Sequence, residues 1–232
     1  MTSQPTPFVI GIDGPSGSGK SSVSRAVAGR LGAGYLDTGA MYRALTWWCR
    51  HTEVDLGDAA AITRAALELP LTIGDDPEAP TVLVDGTDVA QAIRTSEISS
   101  LVSTIATVPD VRVEMQRRQR ALIEDIADRH GACVAEGRDV TTVIAPDAPV
   151  RILLTASEEA RLRRRSLEVH GASDQAAIEA TRDQVVRRDR DDSTVSQFTE
   201  AAEGVSVVDT SDLDFEGSVA AVMAIVDAAR TR

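Results

Sequence analysis

The chain has few aromatic residues and a deficit of positive charge. Aromatic residues make up 3% of the 232 residues, too few for a surface that stacks single-stranded bases. The 24 basic residues are outnumbered by 36 acidic ones, which gives a net charge of −12 at pH 7. An acidic chain of this kind does not bind nucleic acid through general electrostatics. Any anionic ligand must therefore meet locally concentrated positive charge.

Cysteine and long apolar runs are scarce as well. The two cysteines, Cys49 and Cys133, cannot form a disulfide framework or, by themselves, a zinc site. Met1 to Pro7 is polar and has no signal-peptide pattern, and no window is apolar over the roughly 18 residues that a membrane span needs. We therefore expect a cytoplasmic protein that binds neither membranes nor nucleic acid. The 43% hydrophobic content predicts one folded domain, or one domain with a small insert.

Short apolar runs alternate with helical patterns along most of the chain. Between Pro70 and Thr95, alternating runs separated by Asp-Gly and Pro turns indicate antiparallel hairpins instead. The whole pattern predicts an α/β fold: a doubly wound, five-stranded parallel sheet with helices on both faces and a small antiparallel β insert. The predicted parallel strands are residues 8–13, 35–36, 132–135, 151–155 and 205–209.

A glycine-rich loop follows the first predicted strand. Residues 14–21 read Gly-Pro-Ser-Gly-Ser-Gly-Lys-Ser and match the phosphate-loop (P-loop) pattern G-x-x-x-x-G-K-[ST]. In such a loop, backbone amides and a helix N-terminus point at phosphate oxygens. An ordinary glycine-serine turn is the alternative, but the strand-loop-helix context favours a nucleotide site. We expect ATP to contact Gly14, Pro15, Ser16, Gly17, Ser18, Gly19, Lys20, Ser21 and Ser22.

The only lysine of the chain, Lys20, lies inside this loop. We expect it to reach the β- and γ-phosphates, and the Ser21 hydroxyl to ligate Mg²⁺. A GTPase would need a second lysine in the guanine-reading motif N-K-x-D, so that class is excluded. The sequence also lacks the L-S-G-G-Q signature of transporter ATPases and any helicase motif. A small-molecule kinase, with a cationic acceptor pocket and an arginine-rich lid, remains.

Arginines follow two other predicted strands. Arg43 comes after the strand at 35–36, and Arg138 after the strand at 132–135. Ligands of α/β folds bind at the carboxyl ends of such strands, and guanidinium groups suit bidentate phosphate contacts. Taken alone, Arg43 is equally consistent with a solvated helix residue, and Arg138 with a loop ion pair to Asp139. Together, beside a P-loop, they favour an acceptor site.

Downstream arginines crowd two predicted helices, one that begins at Ser157 and one from about Ser173 to Asp191. Such clusters repel one another unless an anion lies between them. An exposed, salt-bridged helix is the alternative for most of these residues. We expect a lid that closes on the nucleoside triphosphate, with Arg161 and Arg164 on ATP. The clusters are Arg161, Arg163, Arg164 and Arg165, then Arg187, Arg188 and Arg190.

Eight motifs, in order from residue 9 to about residue 195, resemble the bacterial cytidylate kinase family. The resemblance implies a P-loop nucleoside monophosphate kinase that phosphorylates CMP and dCMP with ATP and Mg²⁺. We also expect a monomer. The motifs are I-D-G-P-S-G-S-G-K-S (12–21), L-D-T-G-A-M-Y-R (36–43), I-R-T-S-E-I (93–98), P-D-V-R (109–112), R-R-Q-R (117–120), E-G-R-D (136–139), P-D-A-P (146–149) and R-D-R-D-D-S (188–193).

The resemblance further implies domains and site roles. Residues 1–37, 130–157 and 200–232 would form the core domain. Residues 38–129 would form the NMP-binding domain with its β insert at about 70–95, and residues 158–199 the lid. Lys20, Arg138 and Arg188 would stabilise the transferring phosphoryl group. The CMP contacts would be Thr38, Tyr42, Arg43 and Arg138 at the phosphate, Ser103, Arg112 and Asp139 at the cytosine, and Arg188 and Asp192 at the ribose and near the transferring phosphate.

The chemistry of cytosine agrees with these base contacts, because its amino donor and two acceptors match a carboxylate, a hydroxyl and a guanidinium. One position departs from the family: Val195 stands where the family often has an arginine. Either Arg187 or Arg190 would compensate for the missing guanidinium, or the substrate site is looser. A kinase for another nucleotide or small metabolite, and a non-catalytic nucleotide-binding regulator, stay open as alternatives. Intact Lys20 and Ser21 argue against the regulator.

Overall fold

The computed structural model describes residues 8–171, 174, 178–179, 181–182, 190, 193, 196 and 198–231. The second lid helix, predicted from about Ser173 to Asp191, falls mostly outside these residues. Arg187, Arg188, Asp192 and Val195 also lie outside the described residues. The division into a core, an NMP-binding part and a lid stays a prediction.

A five-stranded parallel sheet forms the centre of the described chain, which confirms the predicted fold class. Its order is β2-β6-β1-β7-β8, so the strand that precedes the P-loop lies in the middle. The strands are β1 (Phe8–Asp13), β2 (Gly34–Asp37), β6 (Ala132–Gly137), β7 (Val150–Thr155) and β8 (Ser206–Asp209).

Helices cover both faces of this sheet, as the sequence predicts. Alternate residues of β1 face opposite sides: Ile10 packs in one apolar cluster and Val9 packs against the other. Burial of both faces explains why the central strands read as continuous apolar runs. The helices are α1 (Lys20–Leu31), α2 (Thr38–His51), α3 (Ala59–Glu68), α4 (Ser96–Ala106), α5 (Pro109–His130), α6 (Glu158–His170) and α7 (Phe215–Arg230), with a 3₁₀ turn (Ala92–Arg94) and a π-helical turn (Val140–Ile144).

The β insert is a three-stranded antiparallel sheet of β3 (Leu71–Ile73), β4 (Val82–Val84) and β5 (Thr87–Asp88). Asp85 and Gly86 form the two-residue turn between β4 and β5, with φ of 49° and 73°. Positive φ at both positions is the geometry that Asp-Gly favours in tight hairpins, so this predicted turn is confirmed.

The loop after β3 is fastened to the large sheet and its helices. The Tyr35 amide of β2 donates to the Asp75 carbonyl (2.9 Å), and the Arg25 guanidinium of α1 donates to the Pro77 carbonyl (2.6 Å). His130, at the end of α5, lies 2.8 Å from the Asp75 carboxylate. The insert therefore borders the P-loop helix. No described helix is long and apolar enough to cross a membrane.

Candidate active site

The P-loop connects β1 to α1 at the carboxyl edge of the sheet. Gly17 has a φ of 77°, and a Cβ there would lie 2.6 Å from the Arg161 carbonyl oxygen. Only glycine fits this position, because the first turn of α6 packs directly on the loop. The Arg161 guanidinium also donates to the Ser16 carbonyl (3.0 Å). The arginine-rich helix is therefore in contact with the P-loop.

A cleft of about 840 Å³ opens over the P-loop. Its walls come from the loop, β2, α2, the β insert, α6 and the start of α7. Positive charge is concentrated here although the chain as a whole is acidic, which is the arrangement expected for an anionic ligand. The basic lining residues are Lys20, Arg25, Arg43, Arg94, Arg138, Arg164 and Arg165.

Two carboxylates, the largely buried Asp37 and the fully buried Glu136, lie among these cations. The Lys20 Nζ is 3.9 Å from Glu136 Oε2, and Arg43 donates to Asp37 Oδ2 at 2.7 Å. Burial opposes ionisation of Asp37, but the guanidinium of Arg43 and its other donors hold its pKa below the usual value. Burial and the charge of Asp37 raise the pKa of Glu136. These carboxylates and the cations Lys20 and Arg43 thus form a network of interacting charges where the cleft meets the space beside it.

A smaller cavity of about 80 Å³ adjoins the cleft. Tyr42 and Arg43 line it, and within the described residues the buried Tyr42 hydroxyl and Arg43 Nε have no hydrogen-bond partner. A buried donor without a partner costs about 1–3 kcal/mol, so such groups favour a polar ligand. Other predicted CMP-binding residues on its walls are Thr38, Arg112, Arg138 and Asp139.

The far wall of this cavity carries a buried ion pair. Arg112 of α5 donates to Asp139 Oδ2 at 2.6 Å and to the Ser196 hydroxyl at 3.3 Å. Gln116 lies 3.5 Å from the same carboxylate oxygen. Burial raises the pKa of Asp139, and the guanidinium of Arg112 opposes that rise. The pair presents an acceptor and a donor side by side.

Arg138 stands at the border of the two spaces. It donates to the Gly14 carbonyl of the P-loop at 3.0 Å, and its guanidinium lies 4.2 Å from the centre of the Phe198 ring. Both contacts restrict the side chain, because a stacked planar cation has few other rotamers available. Arg138 therefore links the P-loop to the smaller cavity.

Two residues of the predicted site make hydrogen bonds within the protein, and a third lies beside the two spaces without lining either. Arg164 lines the cleft and also donates to Thr210 Oγ1 (2.9 Å) and to the Thr210 carbonyl. Thr38 donates to the Glu136 carbonyl (2.8 Å), which leaves its oxygen lone pairs available. Ser103 lies on α4 one residue after the lining residue Val102, without itself lining either space. The site roles of all these residues stay predictions.

Several residues of the site have no role that was predicted from the sequence. Asp37 directly follows a predicted strand, and this position in the sequence indicates that its side chain lies at the ligand-binding edge of the sheet. Arg94 approaches the same carboxylate (3.8 Å) from the 3₁₀ turn, which only the folded chain reveals. Gln116 and Ser196 also join the site through contacts that are distant in sequence.

Comparison with known proteins agrees with this geometry. A family model described as cytidylate kinase matches residues 10–228. The cytidylate kinase of Streptomyces avermitilis is 45% identical over 96% of this chain and 94% of its own length. The cytidylate kinase of Nocardia farcinica is 48% identical over 92% of this chain and 91% of its own length. The crystal structure of an uncharacterized protein from Eubacterium ventriosum is similar in fold, with a TM-score of 0.51 at 12% identity over 97% of this chain and 99% of that one. This chain is a member of the cytidylate kinase family.

Proposed function

We propose that this protein transfers the terminal phosphoryl group of ATP directly to the phosphate of CMP or dCMP, yielding CDP or dCDP. One observation carries the proposal: the P-loop cleft and the smaller cavity share lining residues. A phosphoryl group on the donor and a phosphate on the acceptor would meet at that shared wall. The shared residues are Lys20, Ser21, Asp37, Arg43 and Arg138.

On the donor side, the loop amides and Lys20 would hold the ATP phosphates. In phosphoryl transfer the protein mainly positions the reactants and stabilises charge on the transferring oxygens. Lys20 and Arg138 both line the cleft and the smaller cavity, and they would supply that charge. Arg161 and Arg164 would hold the ATP from α6: Arg164 lines the cleft, whereas Arg161 contacts the P-loop through the Ser16 carbonyl. Arg188 is expected to join them from a part of the chain outside the described residues.

On the acceptor side, Tyr42 and Arg43 would bind the CMP phosphate with the donors that lack partners in the described chain. Thr38 would add its hydroxyl. The Arg112–Asp139 pair would meet the base, because the cytosine amino group donates to a carboxylate and the ring acceptors take a guanidinium. Ser103 and Asp192 complete the predicted CMP contacts.

The residues at the shared wall and the neighbouring Glu136 fit Mg²⁺. The Ser21 hydroxyl and the carboxylates of Asp37 and Glu136 are hard oxygen donors, which this ion prefers. Over the described ranges, His, Cys, Asp and Glu form no group of three or more that could hold a metal. The protein would therefore supply few ligands to Mg²⁺, and the ATP phosphates would supply others. Bound in this way, Mg²⁺ would neutralise phosphate charge. Ser21 would hold it, and Glu136 would orient the Ser21 hydroxyl, its hydrogen-bond partner.

We further propose that the enzyme acts as a monomer on free nucleotides in the cytoplasm. The described donor and acceptor groups all come from one chain, so the site needs no second copy. A different acceptor nucleotide is the second candidate, which the paired carboxylate and guanidinium of the base wall disfavour.

The decisive experiment measures ADP release with ATP and each of CMP, dCMP, UMP and AMP. We expect turnover with CMP and dCMP, and the Lys20→Ala variant should lose about 10²- to 10³-fold in kcat, as for removal of one group that stabilises developing charge. Arg30→Ala is the matched control, because Arg30 is a cation of the same helix that pairs with Glu216 away from the cleft. Equal turnover by wild type and Lys20→Ala would contradict the proposal.

A further inference from the structure

Asp13 is a buried acid that the proposed chemistry does not use. It is the last residue of β1 and directly precedes the P-loop, and its exposed fraction is 1%. Its carboxylate accepts three hydrogen bonds: from the Val140 amide (3.0 Å), the Thr141 amide (2.7 Å) and the Thr141 hydroxyl (2.6 Å). All three donors follow directly after Arg138 and Asp139 in the chain.

Two further contacts hold the same junction. The Arg138 guanidinium donates to the carbonyl of Gly14, the residue after Asp13. In the middle of β1, Gly11 leaves room for the segment, because a Cβ there would lie 3.2 Å from Val140 Cγ1. The strand that begins the P-loop and the segment 138–141 are therefore fitted to each other by hydrogen bonds and by shape.

Asp13 makes hydrogen bonds that a side chain with only a packing role would not need. Burial raises the pKa of Asp13 to about 6, and the hydrogen bonds from Thr141 and Val140 oppose that rise. A buried carboxylate needs such donors, and each one it accepts fixes the backbone that carries the donor. An apolar side chain would fill the same space without fixing Val140 and Thr141.

We propose that Asp13 is a positioning residue of the phosphoryl-transfer site, because it fixes Arg138 and Asp139 at a set distance from the P-loop. The inference rests on the proposed function. Arg138 would stabilise the transferring group and Asp139 would read the base, so one carboxylate sets the geometry of both. Displacement of a reacting group by about 1 Å can cost about 10²-fold in rate.

The experiment compares variants at both ends of these hydrogen bonds. Asp13→Asn places an amide nitrogen against backbone N–H donors, and we expect kcat/KM for CMP to fall about 10²-fold through both a lower kcat and a higher KM. Thr141→Val should lose about tenfold, and Thr141→Ser, which keeps the hydroxyl, should recover most of it. Thr142→Val is the matched control, since that neighbouring hydroxyl does not reach Asp13.

A second measurement separates positioning from stability. The Kd of a non-hydrolysable ATP analogue, measured by calorimetry on the same variants, should stay within about twofold, because the P-loop itself is unchanged. The proposal is overturned if Thr141→Val equals Thr142→Val in kcat and KM, or if Thr141→Ser fails to rescue. This comparison holds even where Asp13→Asn does not fold. Absence of CMP-dependent ADP release by wild type would instead refute the proposed function.

Discussion

The Arg112–Asp139 pair gives the most specific prediction, which concerns the choice of base. The two side chains are 2.6 Å apart and largely buried. A hydrogen bond to a charged group contributes about 1.5–3 kcal/mol, which corresponds to a factor of about 10 to 150. In Asp139→Asn the amide oxygen can still accept from Arg112, while the amide nitrogen faces the base. Cytosine then loses an acceptor for its amino group, and uracil gains a donor for its carbonyl.

We therefore expect kcat/KM for CMP to fall about 10- to 100-fold in Asp139→Asn, with the CMP/UMP ratio falling by at least tenfold. The assay is ADP release with each nucleotide over a range of concentrations. Asp110→Asn is the control, because it removes the same charge from an exposed position on the same helix as Arg112. If activity falls equally for CMP and UMP, Asp139 orients Arg112 or Arg138 and does not read the base.

Two further predictions concern stability and the P-loop. Hydrogen bonds from Arg117, assisted by Arg118, lower the pKa of Glu114 from 4.5 to about 2, so this carboxylate stabilises the fold above pH 4.5 and loses that effect as the pH falls toward 2. Glu114→Gln should thus be less stable than wild type in urea at pH 7, and this difference should shrink as the pH falls from 4.5 through 2; a difference that does not change with pH would refute this. Gly17→Ala should cost at least about 1–2 kcal/mol from its positive φ and weaken ATP binding in calorimetry. Gly29→Ala, in open space on α1, should be neutral or stabilising, and the same loss in both variants would count against the reasoning.

The fold was predictable because its signals are local. Apolar runs, the Asp85-Gly86 turn and the P-loop each depend on a few neighbouring residues, and parallel strands joined by helices allow few topologies. Arg138 directly follows β6, and Arg43 lies on the helix that follows β2, so the positions of both near the carboxyl edge were also predictable.

The contacts of Asp13, Asp37 and Glu136 with residues distant in sequence were not predictable in this way. Asp37 pairs in register with Glu136, and Asp13 with Gly137, so three strand ends align at one level of the sheet. This register brings Glu136 beside Asp37 and Asp13 to the Thr141 hydroxyl, and it depends on contacts about 100 residues or more apart in sequence. A pattern of residue types along the chain does not contain that information.

The single lysine has a practical consequence for chemical experiments on this protein. Every other basic side chain is an arginine, so Lys20 carries the only side-chain amine in the sequence, and 16% of that side chain is exposed at the cleft. Acylation of lysine side chains has one target, and that target lies at the proposed phosphate site. A mass shift on one peptide therefore reports the fraction of molecules in which the Lys20 amine is accessible to the reagent. A lysine-specific protease, likewise, has one peptide bond to cut, in the first turn of α1.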